Sequence, residues 1–197
     1  MKFRIVIALM LIAVFTVGCS IKVSSRYAPS IMLEGTGEVK VTKFNYMPEG
    51  YTFDEKTGKH TYRDDDLEIT IASNQIMTDG VTPEYLDVSV EDFITNALKK
   101  ELKFIGYRVR EKSKTVITGD IIILEHSYVG LTNSTYTSKI RFKIIDNVEN
   151  KVVFEKTFKA VEKKNKFTDF NVDQGIHTAV SKSLEQFIRS AQGQGYL

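Results

Sequence analysis

Two stretches of the chain repeat their hydrophobic residues at the spacing of an α-helix. The first begins at Ser89, which with Asp92 resembles a capping box, and it ends at Gly106. The second runs from about Val172 to Ala191, and Gly193 is a natural stop after it. Both stretches are predicted to be amphipathic helices that bury one face. The apolar positions are Val90, Phe93, Ile94, Ala97, Leu98, Leu102 and Ile105 in the first, and Ile176, Ala179, Val180, Leu184, Phe187 and Ile188 in the second.

Three further stretches alternate apolar and polar residues and follow one another like the strands of an antiparallel meander. They span roughly 115–126, 136–146 and 152–161. The run from Ile121 to Leu124 is apolar on both faces, which favours a central position in the sheet. Shorter alternating stretches at 38–46 and 67–71 predict additional strands.

Together these elements predict an α+β fold, with an antiparallel sheet of four to five strands and two amphipathic helices packed on one face. The other face of the sheet would be left towards solvent or a partner. Residues 38–192 are expected to form a single domain, because their number lies within the range of one compact domain. Residues 19–37 contain Ser, Pro and Gly and predict a flexible tether, 73–88 read as irregular, and 193–197 form a polar tail.

The first 18 residues have the pattern of an export signal. Lys2 and Arg4 precede an apolar run from Ile5 to Val17, and the small residue Gly18 follows it. The run is shorter than the roughly 20 apolar residues that cross a bilayer. We interpret residues 1–18 as a signal peptide that is removed on export.

Residues Thr16-Val17-Gly18-Cys19 resemble the bacterial lipobox, with Thr16 at the position where leucine is usual. The resemblance implies that Cys19 becomes the first residue of the mature protein, carrying a thioether-linked diacylglycerol and an amide-linked acyl chain such as palmitate. Cys19 is the only cysteine, so no internal disulfide can form. Ser20 follows it rather than Asp, which by resemblance to Gram-negative sorting favours the outer membrane, facing the periplasm, over the inner membrane.

Charge argues against nucleic acid as a partner. The chain has 27 basic and 25 acidic side chains, and loss of Lys2 and Arg4 with the signal leaves the two signs equal. A nucleic-acid-binding domain is expected to retain a concentrated basic patch.

The acidic and histidine side chains do not have the spacing of a metal site. His60, His126 and His177 lie in three different predicted elements. Asp64-Asp65-Asp66 with Glu68 is an oxygen-rich cluster of the kind that binds Ca²⁺, but it lacks the spacing and the glycine of an EF-hand. A solvated turn is the favoured interpretation, and we expect no metal and no cofactor.

No catalytic motif stands out. Gly-x-Ser-x-Gly and glycine-rich phosphate loops do not occur, and Ser181-Lys182-Ser183 lies on the polar side of the second predicted helix. We therefore expect no catalytic residue. A strip of five lysines between 156 and 166, interleaved with Phe158, Val161 and Phe167, has the composition of a contact with anionic lipid headgroups. A solvated face is the favoured interpretation, because neighbouring acidic residues partly neutralise the strip.

The order of strand, capped helix ending in Glu-Leu-x-x-x-Gly-Tyr, strand meander and C-terminal helix resembles the small envelope lipoproteins of Gram-negative bacteria. The residues that carry the resemblance are Asp92–Tyr107 and Ile117-Thr118-Gly119-Asp120-Ile121. That group includes auxiliary lipoproteins of envelope ABC transporters and related uncharacterised outer-membrane lipoproteins. The resemblance is structural and supplies no functional residues.

An anchor and this fold, without a catalytic constellation, favour an accessory lipoprotein. It would be held on the membrane through lipid on Cys19 and would bind another envelope component, a protein, without catalysis of its own. A periplasmic carrier or sensor of lipid or glycan, with a pocket between helices and sheet, and an unrecognised periplasmic hydrolase are the alternatives. The identity of the partner or ligand and the oligomeric state stay open.

Overall fold

The computed structural model describes residues 20–64, 67–80, 82–130, 132–165 and 171–197. The fold is α+β. The helices in these ranges are α1 (Val90–Phe104) and α2 (Val172–Gly193). The strands in these ranges are β1 (Ile21–Val23), β2 (Glu38–Val41), β3 (Asn45–Tyr46), β4 (Thr52–Asp54), β5 (Lys59–Asp64), β6 (Leu67–Ala72), β7 (Gln75–Thr78), β8 (Glu84–Leu86), β9 (Arg108–Val109), β10 (Thr115–Val129), β11 (Asn133–Asp146) and β12 (Lys151–Asn165).

The main sheet is larger than predicted and mixed in direction. Its nine described strands follow the order β1-β8-β7-β10-β11-β12, with β2, β3 and β9 paired outside this path. β10, β11 and β12 form the predicted antiparallel meander. However, β1 is parallel to β8, and β2, β3 and β7 are parallel to β10. The predicted antiparallel sheet of four to five strands is therefore wrong in strand number and in direction. Strands β4, β5 and β6 form a separate antiparallel sheet.

The three long strands extend beyond their predicted ends. The connection expected from Ser127 to Thr135 is instead strand on both sides of a tight turn, with Ser127 paired to Thr135 and Val129 to Asn133. Gly130 in this turn has φ 64°, a left-handed conformation that favours glycine. The meander therefore projects a long hairpin from one end of the sheet.

Helix α1 forms where the sequence predicts it. The Ser89 hydroxyl accepts a hydrogen bond from the Asp92 amide at 3.1 Å and caps the N-terminus. Val90, Phe93 and Leu98 are buried on its inner face. The apolar period of the sequence therefore becomes the face that packs in the core.

Helix α2 packs on the same face of the sheet. The Phe187 ring stacks on Phe142 of β11, with ring centroids 4.3 Å apart, and Phe44 meets Phe142 edge-on with centroids 5.6 Å apart. The amide of Phe44 donates to the Thr95 hydroxyl of α1, so both helices share one core. Among the described residues, neither helix is long and apolar enough to cross a membrane.

The segment expected to be a flexible tether is instead folded onto the domain. β1 pairs with β8, and Val23, Tyr27 and Ile31 are buried. We call residues 24–36 the strap, because they cross the outside of the helical layer. The Ser and Pro content of this segment predicted a tether. Its three buried apolar residues instead hold it against the domain.

The strap lies along the contact between the two helices. Its start is held at the beginning of α2, where the Ser24 amide donates to Asp173 at 3.1 Å. Its end is held near the end of α2, where Gln192 donates to the Glu34 carbonyl at 2.8 Å. The centre is held by Glu101 of α1, a buried carboxylate. The strap thus follows α2 from its first turn to its last and is tied to α1 at Glu101.

Candidate interaction surfaces

The predicted lipid-bearing residue, Cys19, lies outside the described residues. The chain is described from Ser20, which is exposed, and β1 begins at the next residue. The Ile21 amide donates to the Pro83 carbonyl at 3.0 Å. Since Ile21 is already fixed in the sheet, hardly any free chain separates position 19 from the folded body.

The three histidines lie in three separate environments. His177 contacts the strap, with Nε2 2.8 Å from the Ser24 carbonyl. His60 is buried against Tyr46 and Phe53, and burial lowers the pKa of its imidazole. Among the described residues, no group of three His, Cys, Asp or Glu side chains is placed to hold a metal ion.

His126 forms a buried pair with a carboxylate that the sequence did not single out. Its Nδ1 donates to Glu84 Oε1 at 2.6 Å, and both side chains are fully buried. The imidazole stacks on the ring of Tyr136 and makes a tilted contact with that of Tyr128, with 4.4 Å between ring centroids in each case. Burial raises the pKa of Tyr136 to about 12. The pair connects β8 to β10 across β7, so its evident effect is to hold the short edge strands on the meander.

The acidic cluster lies largely outside the described residues. Asp65, Asp66 and the side chain of Asp64 lie outside the part of the chain that the structure describes. Glu68 is exposed and forms an ion pair with Arg63 at 3.3 Å. The one acidic side chain of the cluster that is described therefore pairs across the β5–β6 hairpin.

On the outer face of the meander, Asp120 is the centre of a group of polar contacts. Asp120 accepts from Arg141 at 2.8 and 2.9 Å, from Lys143 at 3.2 Å and from Asn45 at 3.2 Å. Burial by itself would raise the pKa of Asp120, but hydrogen bonds from Asn45, Lys143 and Arg141 hold it below its ordinary value. The face that was expected to be free for solvent or a partner is thus a polar surface held by cross-strand ion pairs.

The predicted basic strip does not form one patch. It lies on β12, whose side chains alternate between the two faces of the sheet. Lys159 stands opposite Lys139 on the outer face, whereas Lys164 is in the opposite phase and lies 3.8 Å from Glu162. Lys166 and Phe167 lie outside the described residues. The described lysines of β12 are therefore divided between the two faces of the sheet and do not form one continuous lipid-binding strip.

β12 is nevertheless the most open element of the sheet. Its 15 residues pair with β11 on one side, and β12 ends the strand order among the described residues. Five lysines and two glutamates give the strand a net positive charge. A long edge strand offers unpaired backbone groups to an added strand, and lysines on the edge oppose indiscriminate pairing.

A surface groove lies between the strap and α2. Its volume is about 690 Å³, and its walls include Arg26, Ser30, His177 and Lys182. The Ser30 and Ser181 hydroxyls are 2.7 Å apart. Ser181, which the sequence placed on the polar side of the helix, therefore contacts the strap.

An apolar patch lies where the strap passes the end of α1. Met32 and Phe104 are 82 % and 54 % exposed, and with Ile31 and Leu33 they line a groove of about 530 Å³. Exposed apolar residues that cluster are typical of contact surfaces.

The carrier hypothesis placed its pocket between the helices and the sheet, where the described aromatic side chains pack closely. Phe142, Phe158 and Phe187 pack against one another between the helices and the meander. The interior between these elements is therefore filled by side chains.

No family model matches the chain, and no curated protein matches it. Among solved structures, the chain is similar to a DUF330 protein from Xanthomonas campestris, with 12 % identity and a TM-score of 0.54, over 90 % of this chain and 92 % of that one. Lipoproteins are also among the matches. A minor lipoprotein from Acinetobacter baumannii has 16 % identity and a TM-score of 0.39, over 54 % of this chain and 88 % of that one. A lipoprotein from Neisseria meningitidis has 10 % identity and a TM-score of 0.31, over 80 % and 96 %. The similarity to the Xanthomonas protein shows a shared fold.

Proposed function

We propose that this chain is an accessory lipoprotein, anchored through lipid on Cys19 to the outer membrane and facing the periplasm. In this role it binds another envelope protein and has no catalysis of its own. The observation that carries the proposal is the position of β12, a positively charged strand of 15 residues that ends the strand order among the described residues. An extended, acidic segment of a partner is the occupant that this edge fits best, because strand addition supplies backbone hydrogen bonds and the lysines supply the charge preference.

The anchor supports this role in a second way. Several lipid chains on one residue keep a protein on its membrane, since each buried methylene contributes roughly 0.8 kcal/mol. Confinement to the membrane raises the local concentration of an envelope partner, so that a modest edge interaction is sufficient.

Photocrosslinking in cells tests the proposal. A photoreactive residue at Thr157, which is exposed in the middle of β12, is expected to give one reproducible crosslinked protein. The adduct should be lost in Cys19→Ser, which removes the anchor. It should also weaken in Lys159→Glu, which lowers the positive charge of the edge, but not in Lys112→Glu, a matched change in an exposed loop. A crosslink at Met32 and none at Thr157 would refute the β12 assignment.

A polar-ligand carrier is the second candidate, and the groove between the strap and α2 is the observation that favours it. Its lining of serine, histidine, arginine and lysine side chains suits a glycan or a phosphate-bearing headgroup more than an acyl chain. Native mass spectrometry of protein extracted in mild detergent is the test. A bound glycan or headgroup that is lost in Arg26→Ala would support this candidate, and protein that emerges free of ligand would refute it.

A further inference from the structure

We propose that the end of the sheet carrying the β10–β11 turn rests against the membrane, with Val129 in the headgroup layer. The inference rests on the proposed anchor at Cys19, and it adds an orientation to that anchor. Its partner is a lipid surface. The argument is the length of chain between the anchor and the fold, together with the direction in which that chain leaves the sheet.

The chain between anchor and fold is too short to let the domain stand away from the membrane. One residue, Ser20, separates Cys19 from Ile21, and these two residue steps span at most about 7 Å when extended. Ile21 is fixed in the sheet by its pairing with Glu84 and by the hydrogen bond from its amide to the Pro83 carbonyl. The lipid is therefore attached almost directly to the edge of the sheet.

Strand directions decide which end of the sheet faces the lipid. β7 runs parallel to β10, β8 runs antiparallel to β7, and β1 runs parallel to β8. β1 thus points opposite to β10, and the chain preceding Ile21 leaves towards the end at which β10 turns into β11. The register places Ile21 beside Glu84, and through β7 beside Leu124.

The hairpin turn extends farther in this direction than the anchor. Val129 is five residues beyond Leu124, about 16 Å at the rise of a β-strand. The opposite turn, which contains Val148, follows the far end of the 14-residue strand β11, roughly 45 Å away. A domain attached at Cys19 therefore presents Val129 to the lipid and Val148 to the periplasm.

The chemistry of the turn agrees with this placement. Val129 is 53 % exposed, although it is apolar and lies next to Tyr128, an amphipathic residue. Lys163 is exposed near this end, opposite Thr135 of β11, and a lysine near the membrane surface suits anionic headgroups. The nearby carboxylate of Asp79 accepts a hydrogen bond from the Tyr128 amide at 2.8 Å, so it is engaged within the turn.

The two turns provide a matched pair of probes. Because acylation blocks the only native cysteine, Val129→Cys and Val148→Cys can each be labelled with one fluorophore in the mature lipidated protein. The labelled proteins are reconstituted into vesicles of phosphatidylethanolamine and phosphatidylglycerol that contain spin-labelled lipid. We expect several-fold stronger quenching at position 129 than at position 148. Equal quenching, or stronger quenching at position 148, would overturn the orientation.

Two controls separate this inference from the proposed function. Flotation of the protein with vesicles reports the anchor alone, and a protein that does not float would refute both the anchor and the orientation built on it. A flexible Gly-Ser linker of about 20 residues, inserted between Ser20 and Ile21, should leave flotation intact and abolish the difference between the two positions. If the difference survives the linker in protein that floats, the short chain is not its cause and the inference fails.

Discussion

Glu101 is the residue through which the strap can be loosened without touching the sheet. Its buried carboxylate accepts from the Tyr27 hydroxyl at 2.6 Å, from the Ser30 amide at 3.0 Å and from the Ile31 amide at 3.2 Å. Glu101→Gln keeps the shape of the side chain but replaces one acceptor oxygen by a donor that faces other donors. One or two of these hydrogen bonds are therefore lost.

The expected cost follows from the charge of the acceptor. A hydrogen bond to a charged group contributes roughly 1.5–3 kcal/mol, so the loss of one or two should lower the free energy of unfolding by about 2–4 kcal/mol. Glu185→Gln is the matched control, since Glu185 is a carboxylate on α2 paired with Arg189 at i,i+4 near the surface. A pair of that kind contributes roughly 0.3–0.5 kcal/mol.

Urea unfolding measures both costs, and amide hydrogen exchange locates the effect. In Glu101→Gln, the amides of Ser30 and Ile31 should exchange faster under native conditions, while those of β11 keep their protection. Equal protection of the strap amides in the variant and the parent protein would refute the role of Glu101. So would a destabilisation no larger than that of Glu185→Gln.

Three further predictions concern other parts of the core. Gly175→Ala should lower stability by roughly 1–3 kcal/mol, because a methyl group there would lie 2.3 Å from the Tyr136 ring; an unchanged melting temperature would contradict this packing. Phe187→Ala should lower the free energy of unfolding by about 3–5 kcal/mol, because it removes a ring that contacts three other phenylalanines. The control Phe53→Ala removes a half-exposed ring and should lower it by less than about 1 kcal/mol in the same urea titration. Burial and the hydrogen bond to the nearby carboxylate raise the pKa of Tyr27, so the folded state holds this proton more tightly than the unfolded one, and stability should fall as pH rises above about 10. Tyr27→Phe should reduce that fall between about pH 10 and pH 11.5, and an identical fall in both proteins would contradict it.

The sequence was most informative where an element was long. The apolar period of α1 and α2 extends over four turns or more, and the alternation in the meander extends over ten residues, so element type follows from the pattern. The pattern did not determine where the strands end. The Gly- and Ser-containing residues 127–135 suggested a loop, but a tight turn at Gly130 allows the strands to continue on both sides.

The short parallel strands could not be predicted in the same way. β1, β7 and β8 have three or four residues each, too few to show an alternation. Their pairing is also decided by partners far along the chain, as in Ile21 with Glu84. The Glu84–His126 pair has the same origin, since nothing in the sequence relates two residues 42 positions apart.

The strap shows how composition can mislead. Ser24, Pro29 and Ser30 interrupt any helical or strand period, and they led to the prediction of a flexible tether. Tyr27 and Ile31 were visible in the same segment, but an isolated buried residue in an irregular stretch leaves no periodic signal. The prediction of an anchored N-terminus does not depend on this point, whereas the distance between domain and membrane does.

The strap also implies an order of events during synthesis and export. Its contacts bridge 149 residues from Ser24 to Asp173, 151 from Ser30 to Ser181, and 158 from Glu34 to Gln192. The strap, which is made first, therefore has to wait for the last part of the chain before it can dock. Under the proposed lipidation, we expect Cys19 to remain accessible to the processing enzymes throughout that interval, and the lipid to be in place before the segment behind it closes over the helices.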